Sequence, residues 1–322
     1  MHNFEALSGE FAGRFDTAHF PKQPASLYEP AAYFLGLGGK RIRPVMCLMG
    51  NELFGEIEPD AWQLAAAIEL FHNFTLIHDD IMDKAPLRRG RQTVHEKYGA
   101  STALLAGDVM LVAAYEYINK VGSGHVRSIL QLFNTTAKQV CEGQQIDMDF
   151  EGRDRVGFGE YLAMIELKTS VLLAASLRMG SILGGAGLGN QQHLYEFGRN
   201  LGLAFQIQDD YLDAFAADPA KFGKQVGGDI VAGKKTFLLI RALETATDDQ
   251  RRDMAVLEMT EPGARIEGML RVFRACGVDA WARELKEKYM EAALGHLEDI
   301  AVLTRRKEPL QQLAAFLLQR EY

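Results

Sequence analysis

Six aspartates in two short runs are the residues of this chain best suited to chemistry. The runs are Asp79-Asp80-Ile-Met-Asp83 and Asp209-Asp210-Tyr-Leu-Asp213. On a helix, positions i and i+4 share a face, so Asp79 points with Asp83 and Asp209 with Asp213. Like charges at that spacing cost a helix roughly 0.2–0.5 kcal/mol per pair. Each run also closes a strongly apolar segment, where the negative end of the helix dipole disfavours anions. A helix that accepts this twice calls for a compensating cation. Carboxylate oxygens without His or Cys nearby select a hard ion, Mg²⁺ or Mn²⁺. Mg²⁺ is usually held by one or two carboxylates plus substrate phosphates, so paired carboxylates suit a diphosphate bound through several ions. The bland alternative is two solvated helix ends. Against it, His72 and Thr75 continue the Asp79/Asp83 stripe, and Gln206 continues the stripe of Asp209, Asp210 and Asp213. Polar stripes entering apolar helices imply a wet cavity.

A diphosphate also needs cations, and the segments between helices supply them. Gly38-Gly39-Lys40-Arg41-Ile42-Arg43-Pro44 runs into a helix start. Glycines permit close backbone approach, and helix N-termini favour anions. Arg88-Arg89-Gly90 follows the first aspartate run, and arginine forks match phosphate oxygens in pairs. Lys168-Thr169 interrupts an apolar helix, and a long loop carries Gly223-Lys224, Gly227-Gly228-Asp229 and Gly233-Lys234-Lys235-Thr236. Alone, each cluster reads as a solvated patch. Together with the acidic runs they read as one metal–diphosphate site. Gly228 to Lys234 also fits the first seven positions of a P-loop. However, Lys235 stands where Ser or Thr must hold Mg²⁺, and no strand precedes it, so the nucleotide reading fails.

The elements that must position these residues read as helices almost throughout. Leu53, Trp62, Leu64, Ile68, Phe71, Phe74 and Ile77 recur at three- and four-residue steps, as do Leu194, Phe197, Leu201, Ala204, Ile207 and Leu212. Pro44 and Pro59 sit at helix starts. Glycine-bearing breaks fall near residues 35–40, 84–91, 122–124, 151–159, 184–189 and 218–233. Alternating strand patterns of useful length are missing. The expectation is one all-α domain over residues 1–322, a bundle of ten or more helices around a deep cavity.

Composition narrows the partners. The chain has 322 residues and a net charge of -8, with 48% hydrophobic residues. This is globular composition, and its acidic balance disfavours nucleic acid or anionic membranes. Cys47, Cys141 and Cys276 are odd in number and widely spaced, so they read as reduced thiols in a cytoplasmic protein. The N-terminus lacks a signal-peptide pattern, and the apolar stretches near 61–77 and 171–188 are broken by polar residues, so no membrane span is expected.

The ordered set GGKRIRP, DDIMD with RRG, KT, FQIQDD with its third Asp, and GK, GGD, GKKT resembles the trans-isoprenyl diphosphate synthases, from about Gly38 to Thr236. The resemblance implies an all-α homodimeric enzyme joining isopentenyl diphosphate to an allylic diphosphate (dimethylallyl, geranyl or farnesyl). It implies Mg²⁺ on Asp79, Asp83 and Asp209, with Asp80, Asp210 and Asp213 supporting them. Arg88, Lys168, Thr169, Gln206, Lys224 and Lys234 would hold the allylic diphosphate, with the charged residues among them serving catalysis beside Asp79, Asp83 and Asp209. Lys40, Arg43, His72 and Arg89 would hold isopentenyl diphosphate. Asp229, Gln144 and Asp147 also resemble family positions, and Arg320 is a weaker match. On a bare reading, a single His such as His72 on an apolar helix is a hydrogen-bonded core residue.

Product length is expected to depend on residues preceding Asp79. Phe74 lies five positions before it, about 7.5 Å along a helix axis. Thr75 lies four before and Phe71 eight before. In the family, a ring five before the first motif goes with short products, and rings at both four and five before go with C15. A single ring here implies C20 geranylgeranyl diphosphate, with C15 farnesyl diphosphate as the alternative. A class I terpene cyclase shares the ionisation chemistry but usually keeps one DDxxD motif. A non-catalytic subunit of the same fold typically loses aspartates or arginines that this chain retains.

Overall fold

The computed structural model describes residues 1–15, 19–216 and 226–318. Among the described residues the regular elements are helices apart from one two-stranded hairpin, so the all-α expectation holds. The chain divides into two compact units. Among the described residues, the first comprises 1–15, 19–135, 175–195 and 300–310; the second comprises 136–174, 196–216, 226–299 and 311–318.

The first unit opens with α1 (Phe4–Arg14), α2 (Ala25–Gly36), α3 (Ile42–Glu52) and α4 (Pro59–Met82). Pro59 begins α4, where its missing N–H costs nothing. The helix ends in a Schellman turn. Asp83 is its C-cap, Lys84 turns left-handed at φ 50°, and the Ala85 N–H reaches back to the Asp80 carbonyl at 3.0 Å. The chain then folds into strands β1 (Leu87–Arg88) and β2 (Arg91–Gln92), joined through Arg89 and Gly90, both at positive φ. Positive φ at both central residues is the type I′ arrangement that matches strand twist. The short helix α5 (Val94–Tyr98) and the long α6 (Ala100–Ile118) follow, and α6 packs on α4 and α2. Among the described helices, α6 alone is long and apolar enough to cross a membrane. The start of α7 (Val126–Glu151) and most of α9 (Val171–Leu183) also belong to this unit. Helix α9 crosses α3 backbone to backbone: a Cβ on Gly180 would overlap the Cys47 carbonyl, and one on Gly50 the Leu177 carbonyl.

The second unit takes the remainder of α7, then α8 (Phe158–Ile165) and a π-helical turn, Glu166–Ser170, that leads into α9. It also holds most of α10 (Leu188–Phe215), a single turn α11 (Gly228–Val231), α12 (Phe237–Thr245), α13 (Asp248–Leu257), α14 (Pro262–Ala275) and α15 (Val278–Glu298). The last helix, α16 (Thr304–Leu318), contributes to both units. The core of the second unit is aromatic, with Phe237 packed between Tyr161 and Trp281, each at 5.8 Å between ring centroids.

Candidate active site

The first aspartate run occupies the last turn of α4, as its spacing requires, and its three carboxylates meet different fates. Asp79 is half-buried and Asp83 exposed, while Asp80 is buried. Burial raises the Asp80 pKa, but the hairpin returns Arg88 to it. Arg88 Nε lies 2.8 Å from both Asp80 oxygens, and Nη2 lies 2.7 Å from Oδ1. Asp80 thus orients Arg88, and Asp79 and Asp83 carry the run's accessible charge.

Beside it, a cavity of about 400 Å³ is lined by Gly39, Lys40, Arg41, Ile42, Arg43, Glu69, His72 and Arg89. Four cations share this pocket, as an anion site demands. Arg43 Nη1 donates to His72 Nε2 at 3.0 Å. Because that nitrogen accepts, a neutral His72 carries its proton on Nδ1, where it can donate to a ligand. Burial and the surrounding Arg43, Arg89, Arg88 and Arg41 hold the His72 pKa well below its ordinary value. Burial also lowers Arg43, to about 10, although the carboxylates of Glu69 and Asp79 pull it back up. The buried Nε of Arg43 finds no protein acceptor. Arg89, left-handed at φ 53°, donates to the Gly38 carbonyl and lies against Gly39, where a Cβ would crowd it. Lys40 is exposed at the pocket rim.

The residues implied for product length lie on the adjoining face of α4. Phe74 stacks edge-on against His78 at 4.7 Å and sits 5.7 Å from Phe71. Phe71 meets Phe133 of α7 at 5.1 Å, and Phe133 meets Tyr115 of α6 at 5.3 Å. His78 reaches the Leu104 carbonyl of α6 at 3.1 Å, which fixes this side of α4 toward α6. The hydroxyl of Thr75 donates to the His72 carbonyl, so it is engaged within its own helix.

In the second unit, Asp209, Asp210 and Asp213 stand on the last turns of α10. Asp209 is half-buried, while the other two are buried. Asp210 accepts from the Tyr161 hydroxyl at 2.5 Å and from Gln206 Nε2 at 2.8 Å. Burial and the nearby Asp229 push its pKa up to about 7, against the pull of those two hydrogen bonds. Asp213 accepts from the Asp229 N–H at 3.0 Å, pinning α11 to α10. In both runs, therefore, the second aspartate is turned inward onto a protein donor while the first stays more accessible.

Lys168 and Thr169 lie mid-helix, as the sequence suggests, and there the helix widens into a π turn between α8 and α9, a feature common at functional sites. Two glycines make room for it. A Cβ on Gly143 would overlap the Lys168 backbone, and one on Gly202 would lie 2.7 Å from Ser170 Cα. Lys168 Nζ contacts Asp147 Oδ2 at 2.6 Å, and Thr169 donates to Gln206 Oε1 at 3.1 Å. A relay Thr169–Gln206–Asp210–Tyr161 results. Lys234 lies 3.4 Å from Asp229, and buried Gln144 sits on α7 one turn from Asp147. Lys224 and Arg320 lie outside the described residues. Sequence reasoning missed Tyr161, which resembles core packing, and Glu69, the one acid within the apolar run Leu64–Phe71.

The sequence profile described as polyprenyl synthetase matches residues 24–270. A geranylgeranyl diphosphate synthase of Methanosarcina mazei is 39% identical over 304 residues, covering 93% of this chain and 91% of that protein. Relatives of comparable identity carry the name geranylfarnesyl diphosphate synthase. A crystal structure of a geranylgeranyl pyrophosphate synthase superposes with a TM-score of 0.94 at 41% identity, covering all of both chains. A polyprenyl synthase of Caulobacter crescentus, complexed with calcium and isoprenyl diphosphate, superposes with a TM-score of 0.87 at 27% identity, over 99% of this chain and 96% of that one.

Proposed function

The chain belongs to the polyprenyl synthetase family, and from that membership we propose that it is a trans-prenyltransferase of the geranylgeranyl diphosphate synthase type. It condenses isopentenyl diphosphate with an allylic diphosphate, lengthens the chain by one C5 unit and releases inorganic diphosphate and a proton. The observation that carries this reading is the pocket holding Lys40, Arg43, His72 and Arg89 next to the Asp79/Asp83 face of α4. It suits isopentenyl diphosphate: the guanidinium of Arg43, the ammonium of Lys40 and the Nδ1 proton of His72 are all donors.

Asp79, Asp83 and Asp209 are the carboxylates proposed to hold divalent metal, with Mg²⁺ as the physiological ion and Mn²⁺ as a substitute. The donor set fits, being all oxygen. When bound, such ions stabilise charge on a departing diphosphate. Arg88, oriented by Asp80, meets the same leaving charge with a planar fork. Lys168 and Lys234 are further candidates to hold the allylic diphosphate, as are Thr169 and Gln206, which bond to each other; Lys224, implied by the resemblance, lies outside the described residues. The double bond of isopentenyl diphosphate, held by its own pocket, then attacks the allylic cation. No protein nucleophile is required.

The single ring at Phe74, backed by Phe71, supports C20 as the main product. C15 is the alternative, and relatives named geranylfarnesyl diphosphate synthase put C25 beside it. We read the chain as one cytoplasmic domain that forms a homodimer. The exposed Leu104, Leu105 and Val112 on α6 favour a second copy as its cover.

Calorimetric titration tests the two-site assignment. An unreactive thiolo analogue of the allylic diphosphate is expected to bind only with Mg²⁺ present, and to lose that binding in Asp79→Asn and Asp209→Asn. Isopentenyl diphosphate is expected to bind both variants as it binds the unmodified protein. Metal-independent binding of the analogue would contradict the assignment.

A further inference from the structure

Arg41 stands between Lys40 and Arg43 in the basic cluster, at the N-cap of α3. The structure gives it different surroundings. Its side chain is 9% exposed, and its Nη1 donates to Glu69 Oε1 on α4. Nη2 points back to the Leu35 carbonyl at 3.4 Å, and the guanidinium lies 5.2 Å from the ring centre of Phe15. Glu69 is equally committed: its side chain is 3% exposed, and Oε1 also accepts from Asn73 Nδ2 at 3.0 Å. A second bond from the same Nδ2 to the Glu69 carbonyl, at 2.7 Å, fixes Asn73. Glu69 lies one turn before His72, on the helix that ends in the first aspartate run.

The backbone at Arg41 matters too. It is left-handed, at φ 53°, and serves as the N-cap of α3 without a side-chain cap bond. That conformation is disfavoured for any residue with a Cβ, so it persists only where its surroundings impose it. The buried ion pair does so. It also sets the direction of the chain on either side, sending Lys40 outward to the rim and Arg43 inward to His72. Glu69 is the foremost carboxylate acting on both Arg43 and Arg89, so one buried acid balances the guanidinium groups of this pocket.

We propose that Arg41 is a positioning residue of the isopentenyl diphosphate pocket: anchored to Glu69, which Asn73 holds in turn, it fixes the entry into α3 so that Lys40 and Arg43 flank His72, and it does not touch the diphosphate itself. The proposal rests on the reading of that pocket given above.

A double-mutant cycle separates the two roles. Steady-state constants are measured for Arg41→Gln, Glu69→Gln and the double variant, with melting temperatures as the control for folding. A positioning role gives both single variants the same sign: KM for isopentenyl diphosphate rises about tenfold, as expected when a buried hydrogen-bonded charge loses its partner. The allylic KM and kcat stay within about threefold, and the double variant is no worse than either single one, since both remove one interaction. A direct phosphate ligand gives opposite signs: Arg41→Gln raises KM, while Glu69→Gln frees the guanidinium and lowers it. Opposite signs, or additive losses in the double variant, overturn the proposal. Should Glu69→Gln not fold, Glu69→Asp retains the charge, shortens the reach and carries the same test of sign. Absence of any condensation by the unmodified protein would instead overturn the reading of the pocket, and the proposal with it.

Discussion

Replacing Phe74 with alanine tests the proposed limit on product length. Phe74 lies five residues before Asp79, and Phe71, the next ring on that side of α4, lies eight before it. At a rise of about 1.5 Å per residue, truncating Phe74 moves the first obstacle from about 7.5 to about 12 Å along the axis. The gain of about 4.5 Å is close to one further isoprene unit, four carbon–carbon bonds of roughly 1.5 Å each along a zigzag. The dominant product is therefore expected to shift from C20 to C25, with little beyond it. Phe71 remains in place because it is buried against Phe133. Phe74 is only half-buried, so the substitution costs about 1–3 kcal/mol of stability and leaves the protein folded. The assay is incubation with Mg²⁺, labelled isopentenyl diphosphate and farnesyl diphosphate, with chain lengths read by reversed-phase chromatography after removal of the diphosphate. An unchanged C20 ceiling in a folded variant would refute the plug and leave Phe74 as packing against His78. Products many units longer would refute Phe71 as the next stop.

Three further outcomes are expected. Tyr161→Phe removes a donor from buried Asp210, which lowers stability by about 1–3 kcal/mol and raises the Mg²⁺ concentration needed for half-maximal activity; an unchanged metal titration would exclude a role for Tyr161 at that motif. His72 has a folded pKa well below its ordinary value. The unfolded chain therefore takes up a proton near pH 6.5 that the folded protein refuses, and stability falls as pH drops below that point, by up to roughly 1.4 kcal/mol per unit. Urea unfolding of His72→Gln should show less of this acid sensitivity. Gly180→Ala forces a methyl group onto the Cys47 carbonyl, so thermal unfolding should show a loss of about 2–3 kcal/mol or more.

Much of the site was legible because its chemistry is written in helical spacing. Asp79 with Asp83, and Asp209 with Asp213, sit on helix ends as the i, i+4 pattern requires. The basic loops were legible by residue type. Which arginine does what was not: Arg41 and Arg43 lie two residues apart at the start of α3, and only Glu69, 28 residues after Arg41, separates the buried cation from the one that meets His72. Glu69 was the available signal, a lone acid in an apolar run. The partner of Asp80 was hidden because it depends on a Schellman turn with Lys84 in the place usually taken by glycine, followed by a hairpin that folds back. Tyr161 stands 49 residues from Asp210, and its hydroxyl is silent in an apolar periodicity. The π turn at Glu166–Ser170 was equally hidden, since the apolar repeat continues on either side of it.

The most direct measurement is incorporation of labelled isopentenyl diphosphate with dimethylallyl, geranyl and farnesyl diphosphate as separate primers, in the presence of Mg²⁺. For a condensing enzyme of this type, label enters an acid-labile prenyl diphosphate with each accepted primer, the C20 product dominates, and chelation of the metal abolishes incorporation. The contradicting result is a folded protein that incorporates no label with any primer, or one that converts the primer to a hydrocarbon or alcohol without consuming isopentenyl diphosphate.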